Sequence, residues 1–228
     1  MGEPLMLVTV EEGYRIWSAE YDSAPNPLLA LEMRVLQARL GPMAGKTFMD
    51  AGAGTGRWMK IAAAHGATVF GIDISRSMLS VGSRDRTLSG RLVEGDLRRL
   101  PFADLAADIA MCSFTLGYVE WPAGVLKELA RVSRCVIASD LHPAAVEAGW
   151  KRSFRVSGRV YELENFRHSA RDVDLAARAA GLAREWCVEP GFGESERRIF
   201  EAAKRPELFE AAAGLPAIRA VCWVSRAG

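Results

Sequence analysis

The sequence predicts an α/β protein built on a doubly wound, mainly parallel sheet of seven strands with helices on both faces. Short apolar runs of strand length alternate with segments of helical periodicity from residue 47 onward, and this alternation is typical of parallel strands joined by helical crossovers. The predicted strands are strongly apolar, as strands covered on both faces are. The 228 residues are enough for one large domain.

Composition narrows the range of functions. Hydrophobic residues make up 50% and charged residues 25% of the chain, which is an ordinary globular balance and excludes general disorder. The 29 basic and 28 acidic residues leave a net charge of +1, whereas proteins that coat DNA or RNA carry a clear basic excess. We therefore expect no nucleic-acid partner.

The sequence also bears on location. The segment 1–10 has no basic region of the kind that opens a secretory signal, and no apolar stretch approaches the ~20 residues that cross a bilayer. The four cysteines form no CxxC pair and all fall in predicted strands: Cys112, Cys135, Cys187 and Cys222. We therefore expect reduced thiols that behave as small core residues, a cytoplasmic protein, no membrane span and no metal site.

The N-terminal segment 1–45 is predicted to form a helical cap. Residues 11–22 have the amphipathic pattern of a short helix or turn, and a breaker rich in proline follows at 23–27. Leucines at near-helical spacing then predict a helix over 28–40, which a Gly-Pro pair ends.

The segment 46–141 holds the strongest alternation and is the predicted ligand-binding half. A strand enters a glycine-rich turn, a helix follows, and similar units continue to the end of the segment. The predicted strands cover 47–50, 68–72, 91–94, 108–113 and 134–140, and the predicted helices cover 57–65, 76–82 and 122–132.

The segment 142–228 completes the predicted domain on its substrate side. Two short β-like runs around Ser157-Gly158 predict a hairpin within 150–168. Because this insertion follows a strand end, it rises from the carboxyl edge of the sheet, where ligands bind in open α/β sheets, and we expect it to act as a lid. A helix over 169–180 and strands over 183–188 and 217–224 follow.

The most specific motif is Asp-Ala-Gly-Ala-Gly-Thr-Gly at residues 50–56, where a predicted strand becomes a helix. Glycines let the backbone turn sharply and approach a ligand closely, and a helix start leaves free N–H groups that face it. The spacing differs from the G-x-G-x-x-G of dinucleotide sites, and the Gly-Lys-Ser/Thr ending of a P-loop is absent.

Two further acids follow at the ends of the next strands. Asp73 ends the second predicted strand, where a carboxylate can accept hydrogen bonds from the vicinal hydroxyls of a ribose. Asp96 follows the third predicted strand and can accept from the exocyclic amine of an adenine. Acids at three successive strand ends therefore predict one nucleoside-containing ligand.

With these motifs the sequence resembles the class I S-adenosylmethionine-dependent methyltransferases, particularly the small-molecule branch of ubiquinone and menaquinone type. The resemblance covers residues 45–141 closely and the rest in outline. It implies a Rossmann-like methyltransferase fold and S-adenosyl-L-methionine as cofactor, with S-adenosyl-L-homocysteine as product. The cofactor contacts that it implies are Asp50, Gly52, Ala53, Gly54, Gly56, Asp73, Ile74, Asp96, Leu97 and Ser113.

The sequence departs from that family at residues 116–119, Leu-Gly-Tyr-Val, where relatives often carry histidine. A possible base is thereby lost, and the nucleophile class stays open. The catalytic candidates are His142, which follows the fifth predicted strand, and Tyr21 and Tyr118, which can line the pocket together with Tyr14.

Basic side chains beside these motifs have two interpretations each. Arg57 either faces the methionine carboxylate or forms helix surface. The basic cluster of the hairpin either is a solvated face or recognises an acidic or aromatic substrate; its members are Lys151, Arg152, Arg155 and Arg159.

The predicted activity is transfer of a methyl group from the cofactor sulfonium to an O, N, C or S nucleophile of a small molecule by in-line displacement, in a monomer or homodimer. Such transfer needs mainly alignment and exclusion of water, and it needs a base only where the nucleophile carries a proton. The alternatives are methylation of protein or RNA, binding of S-adenosylmethionine without catalysis, and a nicotinamide-dependent reductase.

Overall fold

The central sheet has seven strands in the order β4-β3-β2-β5-β6-β10-β9. The computed structural model describes residues 5–23 and 25–225, so Met1–Pro4 and Ala24 of the predicted cap and breaker lie outside the described residues. The strands are β2 (Thr47–Ala51), β3 (Thr68–Asp73), β4 (Leu92–Glu94), β5 (Ala107–Ser113), β6 (Ser133–Leu141), β9 (Leu182–Val188) and β10 (Ile218–Ser225). The sequence predicts each of these strands to within two residues.

Most strand pairs of this sheet are parallel. β2 pairs in parallel with β3 and β5, and β5 pairs in parallel with β6. β10 is the exception, since it runs antiparallel between β6 and β9. The doubly wound, mainly parallel sheet is thus confirmed, and the carboxyl ends of β2, β3, β5 and β6 meet at one edge.

Helices cover both faces of the sheet, as predicted. On one face α5 buries Leu126 and Leu129 against Ala110 and Trp223, and on the other face α3 buries Trp58 and Met59. The helices are α1 (Val10–Trp17), α2 (Pro27–Gln37), α3 (Arg57–Ala64), α4 (Arg76–Gly82), α5 (Pro122–Val132), α6 (Pro143–Glu147), α7 (Ala170–Ala179), α8 (Glu194–Ala202) and α9 (Pro206–Ala211). No helix within 5–23 or 25–225 has the length and apolarity that crossing a membrane requires.

A second, three-stranded sheet lies over the carboxyl edge. The predicted hairpin is present as β7 (Ser153–Val156) and β8 (Arg159–Leu163), which pair antiparallel. A strand that the sequence did not indicate, β1 (Leu5–Val8), pairs in parallel with β8. The first part of the predicted N-terminal cap and the predicted lid therefore form one unit, which we call the cap sheet: β1, β7, β8 and the helix α1 that packs on them, whereas α2 packs on β10 and α8.

The cap sheet has a small core of its own. Phe154 and Tyr161 are 6% and 8% exposed and stack on one another with ring centroids 5.2 Å apart. Trp17 of α1 stacks on Phe154 at 4.6 Å, which fixes α1 against the hairpin. Leu163, buried beneath, would clash with any β-carbon at Gly13 of α1, so that helix and strand approach closely.

Three helices were not predicted. α6 is a single turn begun by a proline, and α9 spans six residues. α8 is rich in charge and has few apolar residues; Phe200 packs on Phe192 with ring centroids 5.1 Å apart, and Glu196, 1% exposed, pairs with Arg34 of α2 at 2.9 Å. Glu196 also accepts from the Gly193 N–H at 2.8 Å and so caps its own helix.

Candidate functional site

A cavity of about 510 Å³ opens at the carboxyl ends of β2, β3 and β5. The motif at residues 50–56, which we call the glycine loop, forms the floor of this cavity. Helix α1 and the turn after it close one side. All ten residues predicted to contact a cofactor line it except Gly56, which caps α3 directly behind the loop. Its volume lies within the range of roughly 300–1,000 Å³ that is usual for ligand sites.

The glycine loop needs its glycines. Gly52 has φ of +81°, and a β-carbon there would clash with the Thr115 side chain. Gly54 has φ of +55°, but a β-carbon there would meet only the Met78 methyl group, at 3.3 Å. Side chains are strained in this left-handed region. The space beside Gly54 belongs to the cavity, so the loop backbone is open to a ligand.

Asp73 shapes the loop as well as lining the cavity. Its Oδ2 accepts from the Gly54 N–H at 2.8 Å, and its Oδ1 accepts from the Ser75 N–H at 2.7 Å. Burial raises the pKa of Asp73, while the backbone N–H donors oppose the rise. A carboxylate has about four lone-pair sites, so Asp73 can still accept a hydrogen bond from a ligand.

Asp50 lies beneath the loop and is 2% exposed. Burial raises its pKa to about 7, and the negative charges of Asp73 and Glu32 add to the rise while Arg57 opposes it. A cationic ligand group beside it would favour the charged form. Asp50 is therefore suited to a ligand ammonium.

The third acid, Asp96, is held by a neighbour. The Arg98 guanidinium donates to both carboxylate oxygens at 2.5–3.0 Å, and the backbone N–H of Arg98 donates to Oδ1 at 2.8 Å. The Arg98 guanidinium lowers the pKa of Asp96. Beside it Ile74, 52% exposed, offers apolar surface to a flat ring, and Leu97 closes the wall.

A buried charge cluster, which sequence reasoning missed, supports the loop from behind. Glu32 of α2 is fully buried (0% exposed). It accepts from the hydroxyl of Ser113 at 2.7 Å and the indole N–H of Trp58 at 3.2 Å, and also from Arg57 and Ser139. An acid on the buried stripe of an amphipathic helix was the available signal, because such a group needs partners.

Arg57 is the member of this cluster that reaches the cavity. One nitrogen, Nη2, donates to Glu32 and, at 3.1 Å, to the Ser113 hydroxyl. The other, Nη1, is buried and has no hydrogen-bond partner among the described residues, although Arg57 lines the cavity. A buried donor without a partner is costly, so this nitrogen is suited to a ligand carboxylate.

Three tyrosines converge on one wall of the cavity. Tyr21 and Tyr118, both predicted, line it together with Tyr14. The Tyr14 hydroxyl donates to the Tyr118 hydroxyl at 3.1 Å, and the Tyr14 ring meets the Tyr21 ring edge-on at 6.0 Å. Burial raises the pKa of Tyr14 and of Tyr21. These two hydroxyls therefore stay protonated and act as donors.

His142 is not brought to this cavity. Its Nδ1 accepts from the Ala144 N–H at 3.1 Å as the cap of α6, and its Nε2 lies 3.5 Å from Glu189, away from the loop. The capping role accounts for its position, because a residue before Pro143 begins a helix. His168 contacts the Val119 carbonyl at 2.8 Å, and His65 contacts the Ile61 carbonyl at 2.8 Å.

Arg152 differs from the rest of the predicted basic cluster. Its side chain is 9% exposed and pairs with Asp140 at the end of β6. It donates to the carbonyl of Phe114 at 3.2 Å and stacks over the Tyr118 ring, with Cζ 4.5 Å from the ring centroid. Phe114 has φ of +50°, so Arg152 supports a strained turn at the site.

A second cavity, of about 370 Å³, lies on the far side of residues 116–117. Arg152, His168 and Arg219 line it, and Phe166 lines both cavities. The Phe166 N–H donates to the Gly117 carbonyl at 2.8 Å, which fixes the dividing wall. At this point the Phe166 side chain and its backbone hydrogen bond to Gly117 separate the two cavities.

Comparison with known proteins supports the resemblance to methyltransferases over residues 49–135. The family described as "Methyltransferase domain" matches residues 49–135, a segment that includes the glycine loop, Asp73 and Asp96. A demethylmenaquinone methyltransferase of Tropheryma whipplei is 37% identical over 123 residues, which are 50% of this chain and 50% of that protein. The chain thus matches about half the length of such relatives.

Solved structures show the same fold over most of the chain. An S-adenosylmethionine-dependent methyltransferase from Mesorhizobium loti is 22% identical, with a TM-score of 0.67 over 87% of this chain and all of that one. The [4+2]-cyclase SpnF is 18% identical, with a TM-score of 0.66 over 100% of this chain and 99% of that one. At such identities the likeness establishes the fold and leaves the chemistry to the site.

Proposed function

We propose that this chain, whose residues 49–135 match the family described as "Methyltransferase domain", is a class I S-adenosylmethionine-dependent methyltransferase that transfers a methyl group from S-adenosyl-L-methionine to a small-molecule nucleophile. The observation that carries the proposal is the convergence of the glycine loop, Asp50, Asp73 and Asp96 on one cavity, although they follow three different strands. The family match over residues 49–135 supports it.

The residues that line the cavity fit this cofactor. Asp73 has lone pairs free for the ribose hydroxyls, and Ile74 offers a flat apolar surface beside Asp96 for the adenine. At the glycine loop, Asp50 suits the ammonium, and the unpartnered nitrogen of Arg57 suits the carboxylate of the methionine part. Each polar group of the cofactor thus has a candidate partner.

When bound, the cofactor supplies a methyl group already activated on a sulfonium. The protein then has to align the acceptor and exclude water, which together can supply several kcal/mol of the barrier reduction. The three tyrosines and Phe166 line one part of the cavity, where Tyr14 and Tyr118 pack against the core of the cap sheet. We assign acceptor binding to this end, with the hairpin 150–168 as its lid.

The predicted catalytic set narrows accordingly. Tyr21 and Tyr118 stay in the proposal because they line the cavity. His142 leaves it, because its ring caps α6. We also propose a cytoplasmic monomer or homodimer; free thiols at all four cysteines support the reducing location.

A cofactor-binding protein without methyl transfer is the second candidate. The structural likeness to a [4+2]-cyclase favours it, because the same fold serves another reaction there. Methylation of a macromolecule has less support, since the net charge is only +1 and the tyrosine end is enclosed by the cap sheet.

Calorimetric titration tests the cofactor assignment. S-adenosylhomocysteine should bind, and NADH should not. Asp73→Asn, which keeps an acceptor oxygen but removes the charge, should weaken binding by about 1.5–3 kcal/mol, the range for hydrogen bonds to a charged group. Asp85→Asn, at an exposed loop position, is the matched control and should bind like the parent. Binding of NADH, or equal affinity in Asp73→Asn, would overturn the proposal.

A further inference from the structure

The tyrosine end of the cavity offers hydrogen-bond donors and no imidazole. Tyr14, Tyr21 and Tyr118 line it, and the histidines of the described residues are engaged elsewhere: His65 with the Ile61 carbonyl, His142 with the Ala144 N–H and His168 with the Val119 carbonyl. Asp50 lies beneath the glycine loop and is 2% exposed. An acceptor that must lose a proton would therefore find no imidazole beside it among the described residues.

The hydrogen-bond pattern leaves one hydroxyl proton available to a ligand. Tyr14 donates to Tyr118 at 3.1 Å, so the Tyr118 oxygen already accepts a bond. The Tyr118 proton is then free for another acceptor. A ligand oxygen in this part of the cavity would be bound by Tyr118, with the Tyr21 hydroxyl on the same wall.

Two ion pairs and three further acids surround this end of the cavity. Arg152, over the Tyr118 ring, pairs with Asp140, and Arg57, which faces Tyr21, pairs with Glu32. Asp22 also faces Tyr21 and accepts from the Thr55 hydroxyl at 3.1 Å. Two exposed acids, Glu11 and Glu120, lie on the rim. Of these charges, the Arg152 guanidinium stacks on the tyrosine that has a proton to donate.

The walls of this end are flat and aromatic. The Tyr14 ring stands perpendicular to the Tyr118 ring with centroids 5.8 Å apart, and Phe166, 43% exposed, faces the same space. Such walls suit a planar, conjugated ligand, because aromatic faces stack on one another or meet edge-on.

We propose that Tyr118, supported by Tyr14 and Arg152, is a subsite for a planar conjugated oxyanion, a phenolate or an aromatic carboxylate, so that the acceptor binds in its ionised form. The inference rests on the proposed function in that it places the acceptor here. It adds that the charge on the acceptor precedes methyl transfer and that the protein removes no proton at this end. Arg152 acts as a positioning residue, since it holds Tyr118 and the turn at Phe114.

The test uses 4-nitrophenol, whose absorbance distinguishes phenol from phenolate. A titration of the bound probe against pH, on the full chain, should give a pKa below that of the free probe. Tyr118→Phe should weaken phenolate binding roughly tenfold or more, the effect of losing a hydrogen bond to a charged group. Tyr14→Phe should weaken it less. Asp85→Asn, at an exposed loop position outside the cavity and the lid, is the control and should bind like the parent.

Two competitors and one control measurement complete the design. Neutral 4-nitroanisole should not displace the probe. Displacement by benzoate would extend the site to carboxylates, and its failure would restrict the site to phenolates; both outcomes support the subsite. An unchanged probe pKa, equal affinity for 4-nitroanisole, or normal phenolate binding in Tyr118→Phe would overturn it. S-adenosylhomocysteine binding is measured on the same samples. If S-adenosylhomocysteine binds but the phenolate subsite fails its test, only this inference is refuted. If the phenolate binds but S-adenosylhomocysteine does not, only the proposed function is refuted.

Discussion

Glu32 joins the cap helix α2 to the carboxyl edge of the sheet, and its removal should destabilise the fold strongly. The carboxylate is fully buried (0% exposed). It accepts from Ser113 at 2.7 Å and from Trp58 at 3.2 Å, as well as from Arg57 and Ser139. In Glu32→Ala the Arg57 guanidinium is left without its counter-charge, and the other donors lose their acceptor.

The magnitude follows from the burial of this pair. Removing one partner of a buried ion pair costs about 3–5 kcal/mol, and 1 kcal/mol lowers Tm by about 2–4 °C for a domain of this size. Glu32→Ala should therefore unfold about 6–20 °C below the parent in a calorimetric or circular dichroism melt. The Tm of Glu32→Gln, which keeps one acceptor oxygen, should lie between those of the parent and of Glu32→Ala. Gln37→Ala, on the exposed end of the same helix, should stay within about 0.5 kcal/mol of the parent.

A double substitution separates the charge from the packing. Replacing both partners of a buried pair with apolar residues is often neutral, so Glu32→Leu with Arg57→Met should recover part of the lost stability. The reasoning is refuted if Glu32→Ala costs less than about 1 kcal/mol, or if the double variant is no more stable than Glu32→Ala.

Three further predictions concern the loop and the lid. Because burial raises the pKa of Asp50 to about 7, the folded state binds this proton more tightly than the unfolded state. Stability should fall by about 1.4 kcal/mol per pH unit between the ordinary aspartate pKa and pH 7. Denaturant titrations of Asp50→Asn should lack that slope, and parallel slopes would contradict the burial argument. Gly54→Val should lose S-adenosylhomocysteine binding at a cost of only about 1–2 kcal/mol in ligand-free stability; normal binding would remove the loop from the site. In hydrogen exchange, 150–168 should exchange faster than 134–140, and slow only when cofactor and acceptor are both bound; equal protection without ligands would make the hairpin core.

The central half was predictable because its signals are local. Each strand from β2 to β6 is an apolar run bounded by a turn signal, and the glycine loop, Asp73 and Asp96 lie at strand ends that the alternation places on one edge. The position of the cavity that these residues line follows from the order of neighbouring strands alone. The cofactor contacts were therefore predictable from the sequence, whereas the acceptor end, which involves the cap sheet, was not.

What the sequence left open depends on long-range contacts. Leu5 pairs with Val160 across the cap sheet, and a four-residue apolar run gives no sign of such a partner. Arg152 is one of several basic residues in its segment, and only the tertiary fold places Asp140 beside it. His142 shows the converse, since its position after a strand suggested chemistry while its ring satisfies a helix end.

Methyl transfer itself tests the central claim most directly. The full chain is incubated with S-adenosylmethionine bearing a trideuterated methyl group and with a bacterial small-molecule extract, and the products are analysed by mass spectrometry, with Asp73→Asn and heat-inactivated protein as controls. We predict stoichiometric formation of S-adenosylhomocysteine and of a small molecule heavier by one trideuteromethyl group, both reduced in Asp73→Asn. S-adenosylhomocysteine binding without any labelled product, across extracts that contain phenols and aromatic acids, would contradict the account and favour a cofactor-binding protein of another function.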